Sequence, residues 1–142
     1  MFYAITPSKS YIEDADEELL AVCEKVRARA IKQAVYLDGW CGICSAALAS
    51  AFIEMGRRAE IVIGTYWGEG HCWVEVDGLY YDITASQFGE PPIFISHQDD
   101  EYDQWFPEER ISVINDETLA EYFAGWSEEQ RPTERMIGRL LP

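Results

Sequence analysis

The alternation of apolar and polar positions predicts two helices in the first part of the chain. Between Asp16 and Leu37, apolar residues recur at helical spacing, with Asp14 or Asp16 placed to cap the start. A second predicted helix runs from Cys41 to Met55, contains a single charged residue and is followed by Gly56, a residue type that often ends helices. A helix that is apolar on nearly every side is typical of the middle of a domain, so we expect this one to be buried.

The middle of the chain has the composition of β-strands. Ala59–Trp67 is rich in β-branched and aromatic residues, and a break is predicted at Gly68–Gly70. Next, His71–Val76 and Leu79–Thr84 flank Asp77-Gly78, a dipeptide that favours a two-residue hairpin turn. Further strands are predicted at Ile93–Ser96 and Ile111–Ile114, and further helices from Asp116 to Ala124 and from Ser127 onward, with an interruption at Pro132. This order predicts one α+β domain over residues 1–142, with a buried N-terminal helix packed on an antiparallel sheet.

The turn at Asp77-Gly78 fixes the register of the predicted hairpin. Val76 then pairs with Leu79, Trp73 with Asp82 and His71 with Thr84, while successive side chains alternate between the two faces. One face is apolar throughout and consists of Cys72, Val74, Val76, Leu79, Tyr81 and Ile83; the other carries His71, Trp73, Glu75, Tyr80, Asp82 and Thr84. His71 and Asp82 become diagonal neighbours, roughly 7 Å apart between backbones, close enough for a hydrogen bond that fixes the imidazole tautomer. Because this face is not the apolar one, we expect replacement of Asp82 to affect chemistry more than packing.

Cys41 is the candidate nucleophile because it lies at the start of the predicted buried helix. Unpaired N–H groups and the helix dipole stabilise a thiolate at that position, and the same N–H groups suit an oxyanion. A nearby His71 would take the thiol proton. Cys44 lies one turn into the helix beside small residues, so we interpret it as a packing residue.

The charge of the chain excludes two classes of partner. The 142 residues carry a net charge of −15, which is unsuited to nucleic-acid phosphates and to an anionic membrane surface. Much of the acid lies in two clusters, Glu13–Glu18 and Asp99–Glu109, which are either solvated surface or a docking face for a basic partner.

No secretory signal and no run of about 18 apolar residues occurs, so we expect a cytoplasmic location with free thiols. Export by a non-standard route and the oligomeric state stay open.

The motifs around these residues resemble a known superfamily. Gly39-x-Cys41-x-x-x-Ser45, then Gly70-His71-x-Trp73-Val74-Glu75-Val76-Asp77-Gly78, then Tyr81-Asp82-Ile83-Thr84 are similar to the transglutaminase-like core, which is related to papain. The resemblance covers about a third of the chain, roughly Asp38 to Phe88. It implies that Cys41 is the nucleophile, His71 the general base and acid, and Asp82 the residue that orients His71. If Asp82 were only a structural residue, Glu75 or Gln87 would be the next candidate for that third role.

The same resemblance implies an enzyme that acts on a protein or peptide amide without a cofactor or a metal. The short spacing between Cys41 and His71 leaves little room for the substrate loops of the larger transglutaminases, so hydrolysis, deamidation and acyl transfer to an amine all remain open. The second oxyanion donor is expected from the loop Tyr36–Trp40 or from a residue that the sequence does not identify.

Three other interpretations of the cysteines compete with this one. Trp40-Cys41-Gly42-Ile43-Cys44 resembles the active-site motif of thioredoxin-like thiol–disulfide oxidoreductases. Cys41, Cys44, His71 and Cys72 have the ligand types of a zinc site, although His71 and Cys72 are consecutive on a strand and point to opposite faces. A binding module that keeps the fold without the chemistry is the third alternative, and its sign would be a missing triad residue.

Overall fold

The described part of the chain forms one sheet packed with helices, which is the α+β class that the sequence predicts. A computed structural model describes residues 11–12, 16–34, 39–97, 105–113, 117–118, 121 and 134–142. Its helices are α1 (Glu17–Gln33), α2 (Cys41–Glu54) and α3 (Glu134–Leu140), and a 3₁₀ turn spans Ala85–Phe88. Its strands are β1 (Tyr11–Ile12), β2 (Ala59–Tyr66), β3 (Glu69–Val76), β4 (Leu79–Asp82), β5 (Phe94–His97) and β6 (Trp105–Val113). The sheet order is β1-β5-β4-β3-β2-β6, antiparallel except for the parallel pair β1–β5, which confirms the α+β class.

Helix α2 is the buried centre of the domain. Ten of its 14 residues are buried, most of them small, so α1, α3 and the strands β2 and β3 all pack closely around it. It ends at Glu54, and Gly56 adopts a left-handed φ of 81°. The predicted burial and bounds of this helix are therefore confirmed to within one residue.

Helix α1 begins where the sequence predicts and ends earlier. The carboxylate of Asp16 accepts hydrogen bonds from the backbone N–H groups of Glu18 (2.9 Å) and Leu19 (3.4 Å), which satisfies two N–H groups of the first turn. The helix ends at Gln33, and Ala34 is extended. The hydrophobic periodicity predicts too long a helix, because residues 34 and 35 continue the spacing of its apolar face. Residues 35–38 lie outside the described part.

Two tight hairpins build the centre of the sheet. Asp77-Gly78 joins β3 to β4 with both φ angles positive (51° and 81°), the two-residue turn that the sequence predicts. Val76 pairs with Leu79, and the regular antiparallel pairing between the two strands ends at Val74 with Tyr81. Trp67-Gly68 forms a second turn of the same kind, with φ of 48° and 84°. The predicted break at Gly68–Gly70 is therefore wrong for Glu69 and Gly70, which already belong to β3.

The outer strands differ from their predicted bounds. Strand β5 lies one residue later than predicted, and β6 begins at Trp105 rather than Ile111. Its first part falls within the acidic cluster, where charge hides the strand pattern; Glu108 and Glu109 are exposed on it. Within the predicted helix at 116–124, the described residues 117, 118 and 121 are helical, while the rest of it and parts of the two acidic clusters lie outside the described residues. After Pro132, the chain becomes helical again in α3.

Both faces of the sheet are buried, whereas the sequence assigns only one to the core. The face towards α2 packs Ile61, Cys72, Val74, Tyr81 and Ile95 against the helices. The opposite face holds a second, aromatic cluster made of Val62, Tyr66, Trp73, Tyr80, Ala85, Phe94 and Trp105, with Phe88 packed against it. Since Phe94 and Trp105 come from distant segments, hairpin alternation alone does not reveal this second layer. Asp82 does lie on the face opposite Val74 and Tyr81, but that face is packed as well, so Asp82 is buried.

Gly64 allows strand β6 to pack against β2 at an irregular point. Gly64 pairs with His71 on one side and Pro107 on the other, and the register between β2 and β6 shifts between Ile63 and Gly64. A Cβ atom on Gly64 would overlap the backbone carbonyl of Phe106. The absence of a side chain therefore fixes the course of β6, and with it the position of Trp105.

Gly64→Ala should destabilise the protein by about 1–3 kcal/mol, because the added methyl group has to displace backbone atoms of β6 rather than a flexible side chain. Gly70→Ala is the matched control, since Gly70 lies on the neighbouring strand with open space around the new Cβ. Urea unfolding of the two variants measures the difference. Equal midpoints for the two variants would contradict the close approach at Gly64.

Candidate functional site

Cys41 is the first residue of α2 and the most exposed of the four thiols. It is half-buried, while Cys23, Cys44 and Cys72 are buried, and all four are free. Trp40 occupies the N-cap position without a side-chain hydrogen bond to the helix, and the first turn holds no acidic residue. The side chain of the N-cap residue therefore takes up none of the backbone N–H groups at this end, and Cys41 is the first residue of the turn that carries them.

His71 and Asp82 form a hydrogen-bonded pair inside the protein. The Nε2 atom of His71 lies 2.7 Å from Oδ2 of Asp82, and the exposed fractions of the two side chains are 0% and 1%. The hairpin register brings them together, since β3 and β4 carry them on the same face. The sequence prediction that these two residues are neighbours is confirmed by this contact.

Every oxygen of the Asp82 carboxylate accepts hydrogen bonds. Trp105 donates its indole N–H to Oδ2 at 2.9 Å. Thr84 donates its backbone N–H to Oδ1 at 3.0 Å and its hydroxyl to the same atom at 3.4 Å. Burial disfavours the charge, but the charge and hydrogen bond of His71, together with the donors from Trp105 and Thr84, hold the pKa of Asp82 below its usual value.

The imidazole of His71 links this carboxylate to the Cys41 thiol. Nε2 is engaged by Asp82, and the second ring nitrogen, Nδ1, is buried without a regular hydrogen bond to the described residues. Nδ1 is therefore the nitrogen left for Cys41, which lies near enough to the ring for each group to shift the pKa of the other. Loose contacts of this kind are usual in sites without a bound substrate.

The electrostatics favour a charged pair. A hydrogen bond from the Cys72 thiol lowers the pKa of Cys41; burial opposes this, and the His71 hydrogen bond and charge and the backbone N–H of Cys72 add to the lowering. Burial disfavours a charged His71, but Asp82 and Cys41 outweigh it and raise its pKa. In contrast, burial and the nearby Cys41 raise the pKa of Cys44 to about 12. The thiol beside His71 is thus the one favoured as a thiolate.

Aromatic rings enclose the imidazole. Phe88 meets the His71 ring edge-on at 5.0 Å between centroids, Trp73 lies at 5.7 Å and Tyr66 at 6.4 Å. Phe88 also stacks on Tyr66 at 4.5 Å. Apolar rings at these positions keep water from the His71–Asp82 hydrogen bond, which strengthens it, and a phenylalanine in place of Trp73 would still do so.

An arginine on α1 anchors the segment that follows Asp82. Arg27 donates from Nη1 to the carbonyl oxygen of Ile83 (2.6 Å), to the hydroxyl of Ser86 (2.9 Å) and to the carbonyl oxygen of Pro92 (3.2 Å). This ties together the backbone around Thr84 and the 3₁₀ turn that carries Phe88. Gln87 is half-buried in that turn, and Glu75 binds Arg110 at 3.1 and 3.2 Å, so Glu75 is engaged away from His71.

Sequence reasoning missed Trp105, Thr84 and Arg27 as parts of this site. Trp105 lies 23 positions beyond Asp82, in a stretch whose acidic residues predict surface. The one available signal was a pair of large aromatic residues, Trp105 and Phe106, between two runs of charged residues. The expected loop donor cannot be compared with the structure, because residues 35–38 lie outside the described part.

The structure also bears on the alternatives. Among the described residues, no group of three or more histidine, cysteine or acidic side chains is arranged to hold a metal ion. Ahead of Cys41, the described chain contains the short β1 and the helix α1, not the βαβ unit expected of a thioredoxin-like fold. No described helix is long and apolar enough to cross a membrane.

Comparisons with protein-family models, with curated proteins and with solved structures each give no match to this chain.

Iodoacetamide at about pH 5.5 should alkylate Cys41 at least tenfold faster than the other three cysteines, because a thiolate beside an imidazolium persists below the ordinary thiol pKa of about 8.5. Peptide mapping after partial labelling identifies the modified residue. Cys44→Ala is the control and should leave this rate unchanged. Labelling of Cys44 first would show that the reactive thiol is the other cysteine of the pair.

Proposed function

We propose that this protein is a cysteine-dependent acyl-transfer enzyme in which Cys41 is the nucleophile, His71 the general base and acid, and Asp82 the residue that orients His71. The observation that carries the proposal is the buried His71–Asp82 pair, in which the carboxylate is fully hydrogen-bonded and the second ring nitrogen is left for the Cys41 thiol. A structural histidine and a packing cysteine need no such arrangement. The placement of Cys41 at the start of α2, packed on the sheet that carries His71 and Asp82, supports a papain- or transglutaminase-like core.

The proposed reaction has two halves. The Cys41 thiolate attacks the carbonyl carbon of an amide, and its electron pair forms the C–S bond while the carbonyl oxygen becomes an oxyanion. As the tetrahedral intermediate collapses, the C–N bond breaks and the imidazolium of His71 gives its proton to the leaving amine or ammonia. Water or a primary amine then attacks the thioester, with neutral His71 taking its proton, and the thiolate leaves.

The remaining groups have supporting roles in this scheme. Backbone N–H groups at the start of α2 are suited to stabilise the oxyanion, because Trp40 provides no competing side-chain cap. Asp82 keeps the Nε2–H tautomer of His71, which leaves Nδ1 for the thiol proton. The proposed substrate is a protein or peptide amide, and the second nucleophile decides between hydrolysis, deamidation and transamidation.

A thiol–disulfide oxidoreductase is the second candidate, and one observation favours it. Cys41 has a lowered pKa and partial exposure, while Cys44, one turn later, is buried with a raised pKa. This contrast also suits an attacking and a resolving thiol. The two functions differ in their need for Cys44, which is essential for disulfide exchange and dispensable for acyl transfer.

A direct test incubates the protein with a glutamine-containing protein such as casein and a fluorescent primary amine. Three products are measured: incorporated amine, released ammonia and cleaved peptide. Wild-type protein should give at least one of these products, and Cys41→Ser should give none. Cys44→Ala should retain the activity. Loss of every product in Cys44→Ala, together with insulin reduction by the wild type, would replace the acyl-transfer proposal by the redox one.

Asp82→Asn should slow Cys41 alkylation at about pH 5.5 by at least tenfold, because a neutral amide stabilises the imidazolium less than a carboxylate does. It should also cost about 1.5–3 kcal/mol of stability, since a buried acceptor of charge-assisted hydrogen bonds is lost. Glu75→Gln is the control, because this second hairpin carboxylate is engaged by Arg110 instead. An alkylation profile that is the same for Asp82→Asn and wild type would remove Asp82 from the triad.

A further inference from the structure

Two donors converge on one oxygen of Asp82. Oδ2 accepts from Nε2 of His71 at 2.7 Å and from the indole N–H of Trp105 at 2.9 Å. Oδ1 is occupied separately by Thr84. The carboxylate therefore cannot rotate about its Cβ–Cγ bond without breaking contacts at both oxygens, and Trp105 fixes the oxygen that faces the histidine.

The indole of Trp105 is itself held rigidly. It comes from β6, which lies beyond β3 and β2 from β4 in the order of the sheet. Its ring packs on Phe94 at 4.4 Å and meets Tyr66 edge-on at 4.9 Å, and 4% of the residue is exposed. A ring locked on two sides offers its N–H in one direction only, which a flexible side chain would not do.

A second buried indole nearby shows that burial alone does not explain this contact. Trp73 is 1% exposed and lies 5.7 Å from the His71 ring, yet its indole N–H has no hydrogen-bond partner among the described residues. The two tryptophans share the aromatic cluster and differ in their relation to Asp82. A comparison of variants at the two tryptophans therefore distinguishes a packing role from a hydrogen-bonding role.

We propose that Trp105 is a positioning residue for the site, holding Oδ2 of Asp82 towards Nε2 of His71 so that Nδ1 stays directed at Cys41. Its relevance to catalysis rests on the proposed function, whereas the coupling from Trp105 through Asp82 to His71 stands without it. Gly64 contributes indirectly to the position of Trp105, because it sets the course of β6.

Nuclear magnetic resonance of ¹⁵N-histidine-labelled protein tests the coupling. The chain has two histidines, so His97→Gln assigns the signals. In the wild type, the Nε2 proton that His71 shares with Asp82 should lie far downfield and be protected from exchange with water. Trp105→Phe should speed exchange of that proton with water at least tenfold and move it upfield, while Trp73→Phe should leave it unchanged. Equal spectra for the two variants, or equal perturbation, would overturn the positioning role.

A measurement on the wild type covers the case in which Trp105→Phe does not fold. The Trp105 indole proton, donated to a carboxylate, should lie downfield of the Trp73 indole proton and exchange more slowly. Equal shifts and exchange rates for these two buried indoles would show that the Trp105–Asp82 bond is absent and would overturn the proposal.

The reactivity of Cys41 separates the two proposals. Trp105→Phe should slow alkylation at about pH 5.5 by about tenfold, while Trp73→Phe should not. If the histidine spectra respond as expected but wild-type Cys41 reacts as an ordinary thiol, the proposed function fails and the role of Trp105 stands. If wild-type Cys41 is reactive but both variants match it in spectra and in rate, the role of Trp105 fails alone.

Discussion

A buried carboxylate is the constraint on which the arrangement of this protein depends. An ionised group such as Asp82 is costly to remove from water unless each of its oxygens is hydrogen-bonded. The chain meets that demand with His71 from β3, Trp105 from β6 and Thr84 from the segment after β4. Three parts of the sequence must therefore reach their final positions before the charge is stable, and the site and the second core form together.

The site also joins the two layers of the domain. Helix α2 packs on one face of the sheet, while His71 and Asp82 belong to the other face with the aromatic cluster. Cys41 lies close enough to the imidazole to influence its charge because it is at the end of the helix rather than along its side, near Cys72 on β3. Arg27 strengthens this junction from the helical side by holding the backbone beyond β4.

The features that the sequence predicts well are those that depend on residues close together along the chain. Uniform apolarity identifies α2, the Asp77-Gly78 turn gives the β3–β4 register, and that register alone brings His71 next to Asp82. What it misses depends on contacts between distant segments. Trp105 acts across two intervening strands, and the early start of β6 is hidden because acidic residues interrupt any hydrophobic alternation. The turn at Trp67-Gly68 was missed for a local reason, since a bulky residue with positive φ is rare there.

The same acidic stretch that hides β6 from prediction affects how the sheet ends. Strand β6 is the last strand of the described sheet, and Pro107 removes one backbone N–H from it, while Glu108, Glu109 and Arg110 project charge along it. A charged, proline-interrupted strand is a poor template for further strands. This edge of the described sheet is thereby protected against edge-to-edge aggregation, even though the centre of the sheet is among the most hydrophobic parts of the chain.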